Sequence, residues 1–248
     1  MNSKLDFIVP NWPAPFNVKA LQTTRLGGAS TGPYASLNLG LHVGDDPLVV
    51  ALNRQLLMPY LPTSPIWINQ VHGVVVINAS NRKSLQDADA SFSTDTNVVC
   101  VTMTADCLPV LLCDANGSVV AAVHAGWRGL CDGVIEAAVS KMAVSSSEIL
   151  AWLGPAIGPH VFEVGGDVRS QFIEIDPQAS QAFIPYFDKW LCDIYLLARQ
   201  RLNKIGVTKI YGAGFNEKFC TYSEPERFYS FRRDQLTGRM ASMIWMES

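Results

Sequence analysis

Two imidazoles and a thiol, His72, Cys107 and His124, stand in the contexts Asn69-Gln70-Val71-His72-Gly73, Thr104-Ala105-Asp106-Cys107 and Val123-His124-Ala125-Gly126-Trp127, each at the end of an apolar, strand-like run. Together they supply three of the four donors of a tetrahedral zinc and leave the fourth position to water or substrate, which suits a catalytic metal better than a structural one. A metal so held brings water toward neutral-pH ionisation or stabilises charge on a leaving group.

The convergence of two of these residues follows from strand geometry. Leu108 to Cys113 and Ser118 to His124 are rich in Val, Leu and Ala, and Asn116-Gly117 between them signals a two-residue hairpin turn. That loop sets Ala115 opposite Ser118, Cys113 opposite Val120 and Pro109 opposite His124. Side chains alternate with period 2, so Cys107, Pro109 and His124 share one face, and Cys107 and His124 are diagonal neighbours about 7–8 Å apart at the backbone. A shift of one residue would part them. Gly126 and Gly129 clear backbone space beside His124, whereas Gly73 marks a break between two strands. Cys100, Cys113, Cys131, Cys192 and Cys220 read as small buried hydrophobes.

These segments resemble the YfiH family, also called the laccase-domain or polyphenol oxidase family. The resemblance is carried by the three contexts above, with Leu108-Pro109-Val110 and Arg128-Gly129 extending two of them. Thr23-Thr24-Arg25-Leu26-Gly27-Gly28, Ser36-Leu37-Asn38-Leu39-Gly40, Gly154-Pro155-Ala156-Ile157-Gly158-Pro159 and Phe231-Arg232-Arg233-Asp234-Gln235-Leu236-Thr237-Gly238-Arg239-Met240-Ala241 add to it. It covers nearly the whole chain. It implies His72, Cys107 and His124 as metal ligands, zinc or copper as the metal, and a purine nucleoside and phosphate as reactants. The activity implied is phosphorolysis of adenosine, inosine and methylthioadenosine, with adenosine deamination. An older family label implies a copper-dependent phenol oxidase.

Phosphorolysis needs an anion site. Arg128 lies between Gly126 and Gly129 at the start of a helix, where backbone N–H groups favour an anion; Arg25 and Arg54 are further phosphate candidates. Asn38 can hydrogen-bond base or sugar. Asp106 is a possible outer acceptor or proton carrier, although its strand position turns it from the Cys107 face. His42 and His160 read as structural.

Rival functions remain. Two His, one Cys and nearby Met103 form a blue-copper set, but four histidines in all are too few for a multicopper oxidase. Cys107 and His124 also suit a metal-free thiol–imidazole hydrolase. A metal-storing or scaffold protein is the non-enzymatic reading.

The elements that must position these residues follow from pattern. Strands are expected over Leu5 to Val9, Lys19 to Leu26, Ile66 to Val71, Val74 to Ile77, Val98 to Met103, Ile149 to Leu153, Val207 to Tyr211, Arg227 to Arg232 and Ala241 to Trp245. A glycine-rich loop runs from Gly27 to Gly44, and its length favours function. Helices are expected from Pro47, capped by Asp46, to about Met58, over Leu130 to Met142, Val168 to Ile175, and Trp190 to Ile205, the last stopped by Gly206. The fold class is α/β (α+β), layered mixed β-sheets flanked by helices, in a single domain over 1–248.

With 48% hydrophobic residues among 248 the core is ample. Nineteen basic against 22 acidic residues, net charge −3, give no attraction to nucleic acid or an anionic membrane. Met1 to Pro15 lacks the apolar run of a signal peptide, no stretch is long enough to span a bilayer, and six scattered cysteines suit the reduced cytoplasm. The sequence carries no signal of oligomeric state.

Overall fold

The structure, a computed structural model, describes residues 5–81, 85–214 and 219–248. The apolar runs flanking Asn116-Gly117 pair antiparallel as β6 (Leu108–Asp114) and β7 (Val120–Ala125), with Pro109 opposite His124 and Cys113 opposite Val120 as the sequence requires. The turn is longer than two residues. Asp114 N–H bonds to the Val119 carbonyl and closes the loop, and Gly117 takes a φ of +65° within it. Register is unchanged because the two added loop residues are one from each strand.

This hairpin lies at the middle of a six-stranded sheet ordered β12 (Lys209–Gly212), β8 (Ile149–Leu153), β6, β7, β4 (Ala90–Ser93), β3 (Val76–Asn78). The outer pairs β12–β8 and β3–β4 are parallel and the rest antiparallel. A second, antiparallel sheet is ordered β1 (Phe7–Ile8), β2 (Val18–Thr23), β13 (Met240–Met246), β5 (Cys100–Thr104). A small third sheet holds β10 (Phe183–Tyr186), β11 (Lys189–Cys192) and β9 (Glu163–Val164).

Period-2 alternation in the central hairpin splits the core into layers. Val110, Leu112, Ala121 and Val123 face helices α2 (Trp127–Asp132), α3 (Val134–Met142) and α5 (Ile194–Lys204). Leu111, Cys113, Val120 and Ala122 face the second sheet through Cys100, Ile244 and Met246. His124 has the parity of Ala122 and so opens toward the seam between the two sheets. Each buried Leu or Val contributes about 1.5–3 kcal/mol of transfer free energy, so the seam that carries His124 is rigid.

Several expected elements differ. Ile66 to Val71 makes only isolated bridges, Ile66 with Cys100 and Asn69 with Asp87, because the N–H groups of Val71, His72 and Gly73 all go to the Asp89 carboxylate rather than to a strand. The helix over Leu130 to Met142 starts three residues earlier, at Trp127, and is broken at Gly133, whose φ of +100° no continuing helix allows. Trp190 to Cys192 is strand, pairing with Phe183 to Pro185; the helix begins only where Asp193 caps the Leu196 N–H. Arg227 to Arg232 is no strand: Ser230 caps a short helix, α6 (Phe231–Asp234). By contrast, Asp46 caps α1 (Pro47–Leu56), and Gly206 at φ +86° ends α5, as the sequence says. α4 (Gly166–Ile175) also falls where expected.

Candidate metal centre and adjoining pocket

The donor atoms of His72, Cys107 and His124 all lie within 4.8 Å of one another. Cys107 Sγ is 3.7 Å from His72 Nε2, and the two imidazoles meet edge to face with ring centres 4.8 Å apart. His124 is buried, Cys107 half-buried and His72 exposed, so the cluster is closed from below and open at its rim. Gly126 makes this approach possible: a Cβ there would fall 2.7 Å from His72 Cδ2 and 3.3 Å from Cys107 Sγ. Gly129 does the same for the loop behind, since its Cβ would meet the Gly73 carbonyl at 2.7 Å.

One buried carboxylate organises both histidines. Asp89, at the start of β4, accepts the Val71, His72 and Gly73 N–H groups at 3.3, 2.9 and 2.6 Å, and its Oδ1 lies 2.8 Å from His124 Nδ1. Its own carbonyl accepts the His124 N–H at 2.7 Å. These bonds hold His72 at φ +62°, a left-handed conformation that needs outside support. With the proton on Nδ1 facing Asp89, His124 Nε2 is left to face Cys107. Burial pushes the Asp89 carboxyl up, but its bonds to His124 and to the backbone of Gly73 and His72 outweigh that and hold it below the usual carboxylate range.

The thiol and imidazole polarise each other. Burial raises the Cys107 pKa, yet the facing His124 and His72 bring it down to about 6. Burial likewise disfavours charge on His124, and Cys107 with Asp89 reverses this, carrying it to about 9. Each partner thus favours charge on the other, the thiol shifted toward thiolate and the imidazole toward imidazolium. The donor set of one soft sulfur and two borderline nitrogens, with room for a fourth ligand, fits zinc and is compatible with copper.

Cys107 opens on a cavity of about 150 Å³ whose walls include Trp127, Ile157, Phe162, Phe231 and Arg232. Arginines lie over three of its rings: Arg128 over Trp127 at 4.4 Å, Arg232 over Phe162 at 5.4 Å and Arg239 over Phe231 at 5.8 Å. Cations so placed are favoured by the ring faces.

The other predicted residues are placed differently. Arg25 donates to the Ala35 and Pro225 carbonyls at 2.8 Å each and stacks on Tyr229. Arg54 donates to the Leu39 carbonyl through Nε and Nη2 and lies 3.7 Å over Trp67; burial lowers its pKa to about 10. Asn38 is fully buried, donating to the Gly40 carbonyl and Asp45 and accepting the Gly40 and Arg239 N–H groups, so every hydrogen-bonding site of its amide is used. All three thus brace the Gly27–Gly44 loop. Asp106 stands in a bend, not a strand, and lines the pocket beside Cys107, its carboxylate accepting from Thr221, Ser230 and the Arg232 N–H. Met103 Sδ faces Arg54 Nη2 at 3.9 Å. His160 lines a separate cavity with Cys220.

Asp89 and Arg239 escaped sequence reasoning as neighbours of the three donors and the pocket. Asp89 sits in Asp87-Ala88-Asp89-Ala90, a run of small residues whose strand has no apolar signature; a carboxylate entering a strand of Ala and Ser was the only hint. His42 is held below its usual pKa by burial and then by Arg239, Arg54 and His124. Arg239 is likewise lowered by burial, while Cys107 and Asp106 act in the opposite sense.

Fold and site together define a layered mixed-sheet protein with an open Cys-His-His centre beside an aromatic pocket. Residues 19–247 match the family described as multi-copper polyphenol oxidoreductase laccase, and the chain belongs to that family. It is 54% identical over 242 residues to an Escherichia coli protein named purine nucleoside phosphorylase YfiH, covering 96% of this chain and 98% of that one. A Pseudomonas aeruginosa purine nucleoside phosphorylase is 51% identical, with 97% and 98% covered. A crystal structure of a Neisseria meningitidis protein superposes with a TM-score of 0.93 at 48% identity, covering 98% of this chain and 99% of that one. Among the described residues no helix is long and apolar enough to cross a membrane.

Proposed function

We propose that the protein is a zinc-dependent purine nucleoside phosphorylase acting on adenosine, inosine and methylthioadenosine, with adenosine deamination as a second activity of the same donors. The observation that carries the reading is the meeting of His72, Cys107 and His124 within 4.8 Å at the mouth of an aromatic pocket. The relatives' names support the nucleoside class. Zinc, when bound, supplies a Lewis acid that stabilises charge developing in the reaction.

The chain's own residues do the rest. Trp127, Phe162 and Phe231 offer flat apolar faces to a purine. Arg128, over Trp127, receives phosphate, and Arg239, over the Phe231 ring, adds positive charge beside the pocket. Phosphate oxygen forms a bond to C1 of the ribose as the bond from C1 to the purine nitrogen breaks; its electron pair goes to the purine, which takes up a proton. Asp89 keeps His124 oriented throughout. Arg25, Asn38 and Arg54 serve phosphate and base only indirectly, through the loop they brace. Six free thiols suit a cytoplasmic location.

Incubation with adenosine or inosine, with and without phosphate, tests the reading. Free base and ribose-1-phosphate are expected only with phosphate, and wild-type turnover in His72→Ala would refute a metal mechanism. One observation favours a second reading: the donor atoms of Cys107 and His124 lie within 4.8 Å of each other, the juxtaposition a metal-free cysteine hydrolase needs. On that account alkylation of Cys107 stops turnover while chelators do not. A copper oxidase instead requires oxygen uptake with phenols that scales with bound copper.

A further inference from the structure

Asp106 precedes Cys107 and lines the same pocket, and its carboxylate is engaged in a polar junction that no step above uses. It is buried, with φ +90°. Its Oδ1 accepts the Thr221 hydroxyl at 2.6 Å, and its Oδ2 accepts the Ser230 hydroxyl at 3.0 Å and the Arg232 backbone N–H at 2.6 Å. Its carbonyl accepts the Ile157 N–H at 3.0 Å. Three segments remote in sequence therefore converge on one residue. Ile157, Phe231 and Arg232 from two of them are walls of the pocket onto which Cys107 opens. Thr221 adds a link to the first wall, its N–H bonding to the Ala156 carbonyl at 3.1 Å.

We propose that Asp106 is a positioning residue that sets the Ile157 and Phe231–Arg232 walls against the metal ligand Cys107, and so fixes nucleoside affinity without exchanging charge or a proton with the reacting atoms. The inference rests on the nucleoside reading for its substrate, but its geometry does not. A carboxylate suits the junction because it accepts from three donors at once. A neutral amide nearly suffices: Asn tolerates positive φ, its oxygen can serve Ser230 and Arg232, and its NH2 can donate to the Thr221 hydroxyl.

The test compares Asp106→Asn and Asp106→Ala in the metal-loaded protein. Asp106→Asn is expected to keep kcat, nucleoside KM and metal content within about twofold of wild type. Asp106→Ala is expected to raise nucleoside KM about tenfold or more while kcat and bound metal change far less, since misplaced walls cost binding before chemistry. A collapse of kcat in Asp106→Asn at unchanged KM would show that the charge itself acts in the reaction, and wild-type KM in Asp106→Ala would show that the walls do not depend on it; either overturns the proposal. If Asp106→Ala fails to fold, Thr221→Val and Ser230→Ala each remove one donor, and losses must then appear in KM; losses in kcat alone overturn it. If the wild-type protein turns over no purine nucleoside, the nucleoside reading fails on its own. Amide exchange then decides the positioning claim: the Arg232 N–H must lose protection in Asp106→Ala, or in Ser230→Ala if that variant is used, and keep it in Asp106→Asn, and equal protection throughout overturns it.

Discussion

Two buried aspartates, Asp114 at the end of β6 and Asp89 just before β4, flank opposite ends of β7 and do similar work with different results. Asp114 accepts the N–H groups of Asn116, Ser118 and Val119 and the Ser118 hydroxyl, and so fixes the hairpin turn. Asp89 accepts three consecutive N–H groups of the Val71–Gly73 loop and, in addition, the His124 imidazole. One carboxylate strap therefore sets register, and the other ties two candidate metal ligands from separate parts of the chain to one point. Fold and site use the same device; what separates them is whether the loop so held carries a side chain with chemistry. Cys107, just ahead of β6, and Cys113, within it, repeat the contrast. Close to the histidines a thiol is brought down to about 6, whereas in the seam between sheets burial pushes Cys113 up to about 12.

The comparison breaks most sharply at Asp89. Asp89→Ala removes the His124 partner and leaves three loop N–H groups unpaired, each costing ~1–3 kcal/mol if it stays buried. Metal affinity and turnover should fall at least about 10–100-fold, the usual loss for a residue that orients a ligand. Metal titration against a competing chelator measures this; unchanged affinity would mean that the loop is held by something else.

Gly126→Ala should follow. Its methyl collides with His72 Cδ2, not with the core, so about tenfold weaker metal retention is expected with a thermal midpoint near that of wild type. A large drop in midpoint with full metal binding would reverse the assignment of Gly126 from site to fold.

Asp114→Asn is expected to do the opposite of Asp89→Ala, lowering stability by about 1–3 kcal/mol at pH 7 while activity per folded, metal-loaded chain is kept. Burial raises the Asp114 carboxyl, but its backbone and Ser118 bonds hold it below the ordinary aspartate value. Its stabilisation is therefore complete above the unfolded pKa of about 3.9 and fades as pH falls through the lower folded value. Urea unfolding at pH 7 and near pH 3 should show the gap between the two proteins narrowing in acid; a gap independent of pH would contradict the strap.

The smallest effect is expected at Arg25. Its guanidinium is engaged by two backbone carbonyls, so Arg25→Lys should leave the phosphate dependence of turnover within about twofold of wild type, while Arg128→Ala weakens it by about tenfold, as loss of a charge-assisted contact does. Initial rates across a phosphate series distinguish the two arginines.

Much of this was legible in the sequence because it depends on local rules. The hairpin register, with Pro109 opposite His124, follows from period-2 alternation around Asn116-Gly117, whereas Cys107 approaches His124 from a bend one residue ahead of β6. The Asp46 cap, the Gly206 stop and the space-making role of Gly126 and Gly129 are local too. What was hidden depends on partners far along the chain. Ile66 to Val71 has the composition of a strand, but its continuation is claimed by Asp89, 16 to 18 residues away. Phe231 starts a helix because Ser230 caps it, and the Arg232 N–H finds Asp106 across 126 positions. Arg25 and Arg54 were anion candidates, and Asn38 a partner for base or sugar, by residue type alone, and only the fold shows their hydrogen bonds to the Gly27–Gly44 loop and, for Arg25, to Pro225 as well. Long-range polar contacts leave no periodic trace, and the parts of the site built from them were the ones missed.

The central claim is tested most directly by X-ray absorption at the zinc edge on freshly purified protein, with metal content measured on the same sample. A single zinc per chain bound to one sulfur at about 2.3 Å and two nitrogens at about 2.0–2.1 Å, with a light atom in the remaining position, is the predicted result. Full nucleoside turnover by metal-free protein, or a zinc shell without sulfur, would contradict it.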